Sequence, residues 1–296
     1  MDDWKPRVLV IGPGGVKGLM ILGCLSPLED SGMLNHVDTY CGVSIGAIIA
    51  LLMIVGYTTK CIISEALSLD IFKDIFSIDL KSSFQHGGLV SNEPARKKLT
   101  DLVLNKCGTV PTLYHLYMKT GKSLITTSLN ITDEKTEYLN PFDHPHLSCI
   151  DAVLYSMNIP LIYYQLIDAR GKTMIDGAFG NPYPVDWFDN GNTNILGIYI
   201  KTIYHNRIHQ LLESSLIQRR ENNIKNASSY CRHISLECDK IDFTGLSMTN
   251  KDKAQMIISG YKSGKAFLTN SLIHIQINHD KYQYPEYFMF NHNQND

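Results

Sequence analysis

Two glycine-bracketed breaks interrupt the first quarter of the chain, and each falls between a β-branched run and a helical apolar pattern. Arg7-Val8-Leu9-Val10-Ile11 stops at Gly12-Pro13-Gly14-Gly15, after which Leu19, Leu22, Leu25 and Leu28 recur at helical spacing. The pattern predicts a buried first strand, a tight loop and a helix over about Gly18 to Asp30. Val37 to Cys41 reads as a second strand. It runs into Gly42-Val43-Ser44-Ile45-Gly46 and an apolar helix over 47–56, with Gly56 as its C-cap. Strand, loop and helix alternating from the start imply an α/β fold with a largely parallel sheet covered by helices.

Further along, residues 58–120 read mostly as helix and loop, with one helix from Asn92 to Lys106. Ser123 to Asn130 and Asn194 to Ile200 read as strands, and a short helix is expected after Ser148. Residues 161–168 and 172–175 form an extended pair around the turn Asp168-Ala169-Arg170-Gly171. Long helices are expected over 204–229 and 249–269, then a strand-like Leu272 to Ile277. No repeat or linker-like stretch divides the sequence. The expectation is one domain over 1–296, with a core over about 7–200 and a helical part over 201–296.

Composition excludes some functions. The 296 residues are 44% hydrophobic and 19% charged, ordinary for a globular protein with a sizeable core. A net charge of −2 provides no overall basic field, so nucleic acid is not an expected partner. The opening Met1 to Arg7 is too polar to start a secretory signal, and the longest apolar run, Ala47 to Val55, is far short of the about 20 residues a spanning helix needs. Seven scattered cysteines without a CxxC pair read as reduced thiols. A cytoplasmic protein, peripheral at membranes, is the expectation.

The chemistry concentrates in three places. Gly42-Val43-Ser44-Ile45-Gly46 fits G-x-S-x-G, in which a strand meets a helix so tightly that the serine is pushed out and the glycines let neighbouring backbone pass. The bland alternative is a glycine-flanked turn with Ser44 as an N-cap. In Gly12-Pro13-Gly14-Gly15-Val16-Lys17-Gly18, backbone N–H groups beside a helix N-terminus suit a developing negative oxygen. Gly14 and Gly15 are the expected donors, since Pro13 has no N–H. Lys17 is either a fixed positive charge there or a solvated residue of the first turn. Asp176-Gly177-Ala178 ends a short strand, where a carboxylate can project into a site while the backbone turns away. Alone, it reads first as an ordinary Asp-Gly turn.

In this order, the three pieces resemble the patatin-like phospholipase family. That family has a glycine-rich oxyanion loop after the first strand, a G-x-S-x-G elbow after the second and a later D-G-G or D-G-A. Met157-Asn158-Ile159-Pro160, Asn181 and Pro184-Val185 resemble further family segments, and the likeness runs from about residue 7 to 200. Pro13 departs from the family's usual glycine. The resemblance implies a three-layer α/β/α fold and a Ser44–Asp176 dyad without histidine or cofactor. It implies cleavage of fatty acyl esters of phospholipids or neutral lipids, with transient contact at a membrane surface.

Two rival activities use the same residues. A Ser–Asp–His triad would draw its histidine from His205, His209, His233, His274 or His279, but an α/β-hydrolase elbow follows more strands than precede Ser44. A nucleotide-binding oxidoreductase fits Gly12, Gly14 and Gly18, yet the serine elbow stands where its ribose-binding acid belongs. A lipid-binding relative without catalysis is the remaining reading. His205, His209 and Glu213 share a helical face that is expected to be solvated rather than metal-binding. Arg96-Lys97-Lys98 and Arg219-Arg220 are expected on exposed faces, and Tyr282 to Phe290 as a packed tail.

Overall fold

The computed structural model describes residues 4–68, 88–203, 207–239 and 248–279. Strand β1 (Val8–Ile11) is buried along its whole length, as expected of a central strand covered on both faces. Its side chains alternate between two cores. Leu9 and Ile11 enter the larger one, and Val8 and Val10 the smaller. This period of two divides the molecule into three layers.

The larger core lies under helices α1 (Gly18–Asp30), α2 (Ile45–Ile54), α3 (Thr59–Ser68), α4 (Glu93–Cys107), α5 (Leu113–Thr120) and α6 (Cys149–Ser156). Helix α2 is apolar on every side and almost wholly buried, which is where a helix without a polar face belongs. Pro94 in the first turn and Gly108 at φ 74° bound α4. The smaller core receives Ile224 of α7 (Arg207–Lys225). Helix α8 (Asn250–His279) lies against α1 at backbone distance: a Cβ on Gly260 would stand 1.9 Å from the Met20 carbonyl oxygen, and one on Gly23 2.2 Å from that of Ile257.

Strands β2 (Thr39–Gly42), β4 (Ser123–Asn130), β9 (Ile195–Thr202) and β10 (Cys231–Cys238) run parallel with β1, in the order β10-β9-β1-β2-β4. Beyond β4 the sheet turns antiparallel, with β5 (Lys135–Leu139), β7 (Leu166–Ile167) and β8 (Thr173–Asp176). A two-stranded ladder, β3 (Gly88–Val90) with β6 (Leu161–Tyr163), stands apart from it.

One junction organises the site. β5 occupies one edge of β4 from Thr126 to Asn130, so β2 and β8 must share the other. β2 holds that edge up to Gly42, opposite Thr126, and β8 takes it over with Asp176 opposite Ser128. The hand-over is two residues long, ~7 Å along the strand.

The expected α/β/α architecture is the one observed, with departures. β3, β5 and β10 were not expected, and two of the eight strands of the main sheet, β5 and β8, run against the rest. Leu272 to Ile277, expected as strand, continues helix α8. A helix propagating from Asn250 overrides the β-propensity of a few isoleucines. Arg220 is not a solvated charge: it donates to the Ile200 carbonyl oxygen at 2.9 Å, with its guanidinium 5.0 Å from the Tyr199 ring centroid. Arg96 and Lys98 pair with Asp151 and Glu65, whereas Lys97 and Arg219 are exposed as expected. His205, the side chains of His209 and Glu213, and Tyr282 to Phe290 lie outside the described residues. All seven cysteines are free thiols.

Candidate active site

Ser44 stands between the end of β2 and the start of α2 with φ 57° and ψ −122°. That conformation is costly for any residue with a Cβ, about 1–3 kcal/mol. It is held from both sides. The Ser44 N–H donates to Oγ of the fully buried Ser156 at 3.0 Å, and the Ser44 carbonyl accepts from the Ala47 N–H at 2.9 Å. Ser44 takes the N-cap position of α2, but its side chain makes no capping hydrogen bond. Gly46 has a steric role: a Cβ there would lie 2.3 Å from the Ile11 carbonyl oxygen. Through this contact the serine turn rests directly on the end of β1, where the glycine-rich loop begins. Gly42 is similarly tight, with Ala47 backbone 2.4 Å from its would-be Cβ.

The loop from Gly12 to Gly18 divides its N–H groups. Gly12 donates to the Ile198 carbonyl, Lys17 to that of Gly14, and Gly18 to those of Gly15 and Val16. Among the described residues this leaves Gly14, Gly15 and Val16 as loop amides with no backbone partner. Gly15 has φ 55°, a left-handed conformation that glycine adopts without strain. Lys17 is not solvated: it is 5% exposed, and its ammonium donates to Thr202 Oγ1 at the end of β9, 3.0 Å away.

Asp176 closes β8 and is 2% exposed. Its N–H donates to the Asn158 carbonyl and its Oδ1 accepts from the Ala178 N–H at 2.8 Å. Gly177 crosses β4 so closely that a Cβ would sit 2.1 Å from the Thr127 carbonyl oxygen. The chain then turns through a short 3-10 helix, Gly177–Phe179. Burial pushes the Asp176 carboxyl up to about 6, against the side-chain hydrogen bond from Ser44 and the Ala178 N–H, which both favour the charge. Ser44 thus stands near enough to the carboxylate to favour its charge, although the two lie 132 positions apart in the chain.

Two residues beside this pair went unnoticed in the sequence as site components, Ser156 and Asn158. Asn158 is buried, gives its carbonyl to Asp176 and donates its amide to the Met174 carbonyl at 2.9 Å. Nothing short of the strand hand-over signals either. Of the five histidines open to a triad, His233 is the one whose side chain is described. It bonds the Tyr183 hydroxyl at 2.9 Å, on the smaller core's side of the sheet. No cluster of three or more His, Cys, Asp or Glu suited to a metal occurs among the described residues.

Comparison with known proteins shows the family. The patatin-like phospholipase family profile matches residues 9–189, and the chain belongs to that family. The probable lipid hydrolase 463L of Invertebrate iridescent virus 6 is 30% identical over 186 residues, 61% of this chain and 62% of that protein's length. An uncharacterized protein of Acanthamoeba polyphaga mimivirus, R571, is 23% identical over 67% of the chain and 66% of its own length. The chain thus spans a little under two thirds of these relatives. Among solved structures, VipD from Legionella pneumophila superposes with a TM-score of 0.60 at 16% identity, covering 90% of this chain and 67% of VipD. ExoU in its heterodimeric complex with SpcU, from Pseudomonas aeruginosa, gives 0.56 at 16% identity over 91% and 52%. At those identities the likeness concerns the fold.

Proposed function

We propose that the protein is a lipid acyl hydrolase of the phospholipase A type, a serine carboxylic-ester hydrolase working through a Ser44–Asp176 dyad. The observation that carries this reading is a serine on a strained strand–helix turn beside a buried carboxylate whose proton affinity burial raises. An ordinary aspartate near pH 4 is a poor base, and burial brings Asp176 closer to the pH at which it must work.

Ser44 Oγ attacks the ester carbonyl carbon as its proton passes to Asp176. The Gly14 and Gly15 amides receive the resulting oxyanion, each donor contributing about 10² to 10³ in rate. Collapse expels the alcohol, which takes the proton from Asp176 and leaves Ser44 acylated. Water then attacks the acyl-enzyme with Asp176 again as base, releasing the fatty acid. Asp176 passes on each proton it takes, first to the leaving alcohol and then to Ser44 Oγ as the fatty acid departs, so the scheme calls for no cofactor. No helix among the described residues is long and apolar enough to cross a membrane, and the substrate is met by transient contact at a lipid surface.

The test is hydrolysis of a chromogenic ester and of a phospholipid, with a chelator present, by the parent and by Ser44→Ala. Fatty acid released by the parent and not by the variant supports the reading. Equal release by the parent and by Ser44→Ala, or none by a folded parent, sinks it.

A further inference from the structure

The glycine-rich loop is attached to the end of β9 at three alternate residues of that strand. The Gly12 N–H donates to the Ile198 carbonyl oxygen at 2.9 Å. Gly14 lies on Ile200, where a Cβ would stand 2.4 Å from Ile200 Cδ1. Lys17 reaches Thr202, with its Nζ 3.0 Å from Thr202 Oγ1. Ile198 and Ile200 enter the larger core, and Thr202, two residues on, points to the same side of the sheet. Thr202 is a fixed point. It is still paired with Cys238 of β10, and the Ile203 N–H donates to the Cys238 carbonyl at 2.8 Å. From the other face Arg220 holds the strand two residues earlier, through the Ile200 carbonyl.

Lys17 transmits that anchorage to the loop. Its own N–H donates to the Gly14 carbonyl at 3.1 Å, while its ammonium is on Thr202. The Gly14 carbonyl and the Gly15 N–H belong to one planar peptide and point in opposite directions. Whatever holds that carbonyl therefore aims that amide. A lysine at the start of a helix ordinarily extends its charge into water. Here the side chain is buried and hydrogen-bonded, which fixes the turn it belongs to.

We propose that Thr202 is a positioning residue of the oxyanion loop: by holding the Lys17 ammonium it fixes the Gly14–Gly15 peptide and so the direction of the Gly15 N–H. The proposal rests on the hydrolase reading above, in which that N–H receives the oxyanion, and adds to it a residue that acts through Lys17. A misdirected donor weakens binding of the transition state and leaves binding of the ester almost as it was, so kcat rather than KM carries the effect.

Two measurements on the whole chain test this, in Thr202→Val, which keeps the shape and removes the acceptor, and in Thr202→Ser, which keeps the hydroxyl. The first is amide hydrogen exchange across residues 12–18, with β4 as the internal reference. The second is kcat and KM on a p-nitrophenyl ester. In Thr202→Val, exchange in the loop should quicken about tenfold with β4 unchanged. Its kcat should fall about tenfold with KM within about twofold, part of the about 10² to 10³ that a lost donor costs. Thr202→Ser should recover both to within about threefold of the parent. Unchanged kcat or unchanged loop exchange in an active Thr202→Val protein overturns the proposal and leaves the hydrolase standing. Exchange that quickens in β4 as well, or no recovery in Thr202→Ser, makes Thr202 a merely structural residue and overturns it too. Loop exchange that quickens in the valine and recovers in the serine protein, in a parent without esterase activity, upholds the hold of Thr202 on the loop and removes the hydrolase reading.

Discussion

Ser44 lies in the parallel half of the sheet and Asp176 in the antiparallel half, and different means hold them in place. On the parallel side the arrangement is local. β2, the turn and α2 are consecutive in the chain, and the positive φ at Ser44, the close approach at Gly46 and the bond to Ala47 all arise within a few residues. On the antiparallel side nothing local suffices. Asp176 owes its position to β8 taking over the edge of β4 that β2 vacates, to the crossing of Gly177 over Thr127 and to the carbonyl of Asn158. The proposed nucleophile is thus placed by a short motif. The proposed base is placed by sheet topology.

The sharpest test of that contrast is Asp176→Asn. Activity should fall about 10³-fold or more, because the amide accepts no proton from Ser44. The fold should become more stable. The folded-state carboxyl sits at about 6, above its ordinary 3.8, so its contribution to stability is fully present below pH 4 and is lost as the pH rises through 6. Two units correspond to about 3 kcal/mol at most. The asparagine protein should melt several degrees above the parent at pH 8 and at the same temperature near pH 4. Activity has the opposite sign: kcat/KM of the parent should drop about tenfold per unit below pH 6, as the base becomes protonated. A less stable Asp176→Asn protein at pH 8 contradicts the buried-charge account.

Next in size is Gly177→Ala. The added methyl meets the carbonyl oxygen of a buried strand, which cannot move without breaking the β4–β8 pairing, and the loss should be about 3 kcal/mol. Residual activity of the folded fraction should fall too, since Asp176 shifts with its neighbour. Gly46→Ala makes the corresponding clash on the parallel side, against the Ile11 carbonyl oxygen. If the local side is independent, its losses and those of Gly177→Ala add in the double variant; a double variant no worse than either single one joins the two sides into one unit.

The same division decides what the sequence discloses. The run from Arg7 through Gly56 carries its own punctuation, and strand, glycine loop, helix, strand and serine turn are read from it within about two residues of where they lie. Asp176 needed the order of three motifs, because an Asp-Gly pair is first of all a turn. The supports behind it had no local signal. β5 is a short edge strand rich in charge, and Glu137 in it is buried only because Arg170 and Asn130 meet it there. Ser156 ends a helix whose pattern says nothing of a hydroxyl aimed at residue 44. Lys17, too, reads equally as a fixed charge at the loop or a solvated lysine until β9 places Thr202 beside it.

Ser156→Ala is the smallest effect and the most informative about how the two halves meet. Ser156 closes α6, on the chain leading into Asn158, yet its hydroxyl accepts the N–H of Ser44. It is the side-chain hydrogen bond that ties the serine turn to the segment supporting the base. Removing it leaves a buried N–H without its acceptor, a cost of about 1–2 kcal/mol. The strained turn then has one restraint fewer, and Ser44 spends less time at the angle that aligns Oγ with Asp176. The expected signature is a kcat about tenfold lower with KM little changed, because the alteration acts on the alignment of Ser44. Placing Ser156→Ala in the Ser44→Gly background sharpens the point, with stability as the readout. Glycine adopts φ 57° without strain, so if the hydroxyl serves to hold the strained turn, its deletion should cost less there than in the parent. Equal costs in both backgrounds would mean that Ser156 satisfies a buried donor and does nothing to hold Ser44 at its angle.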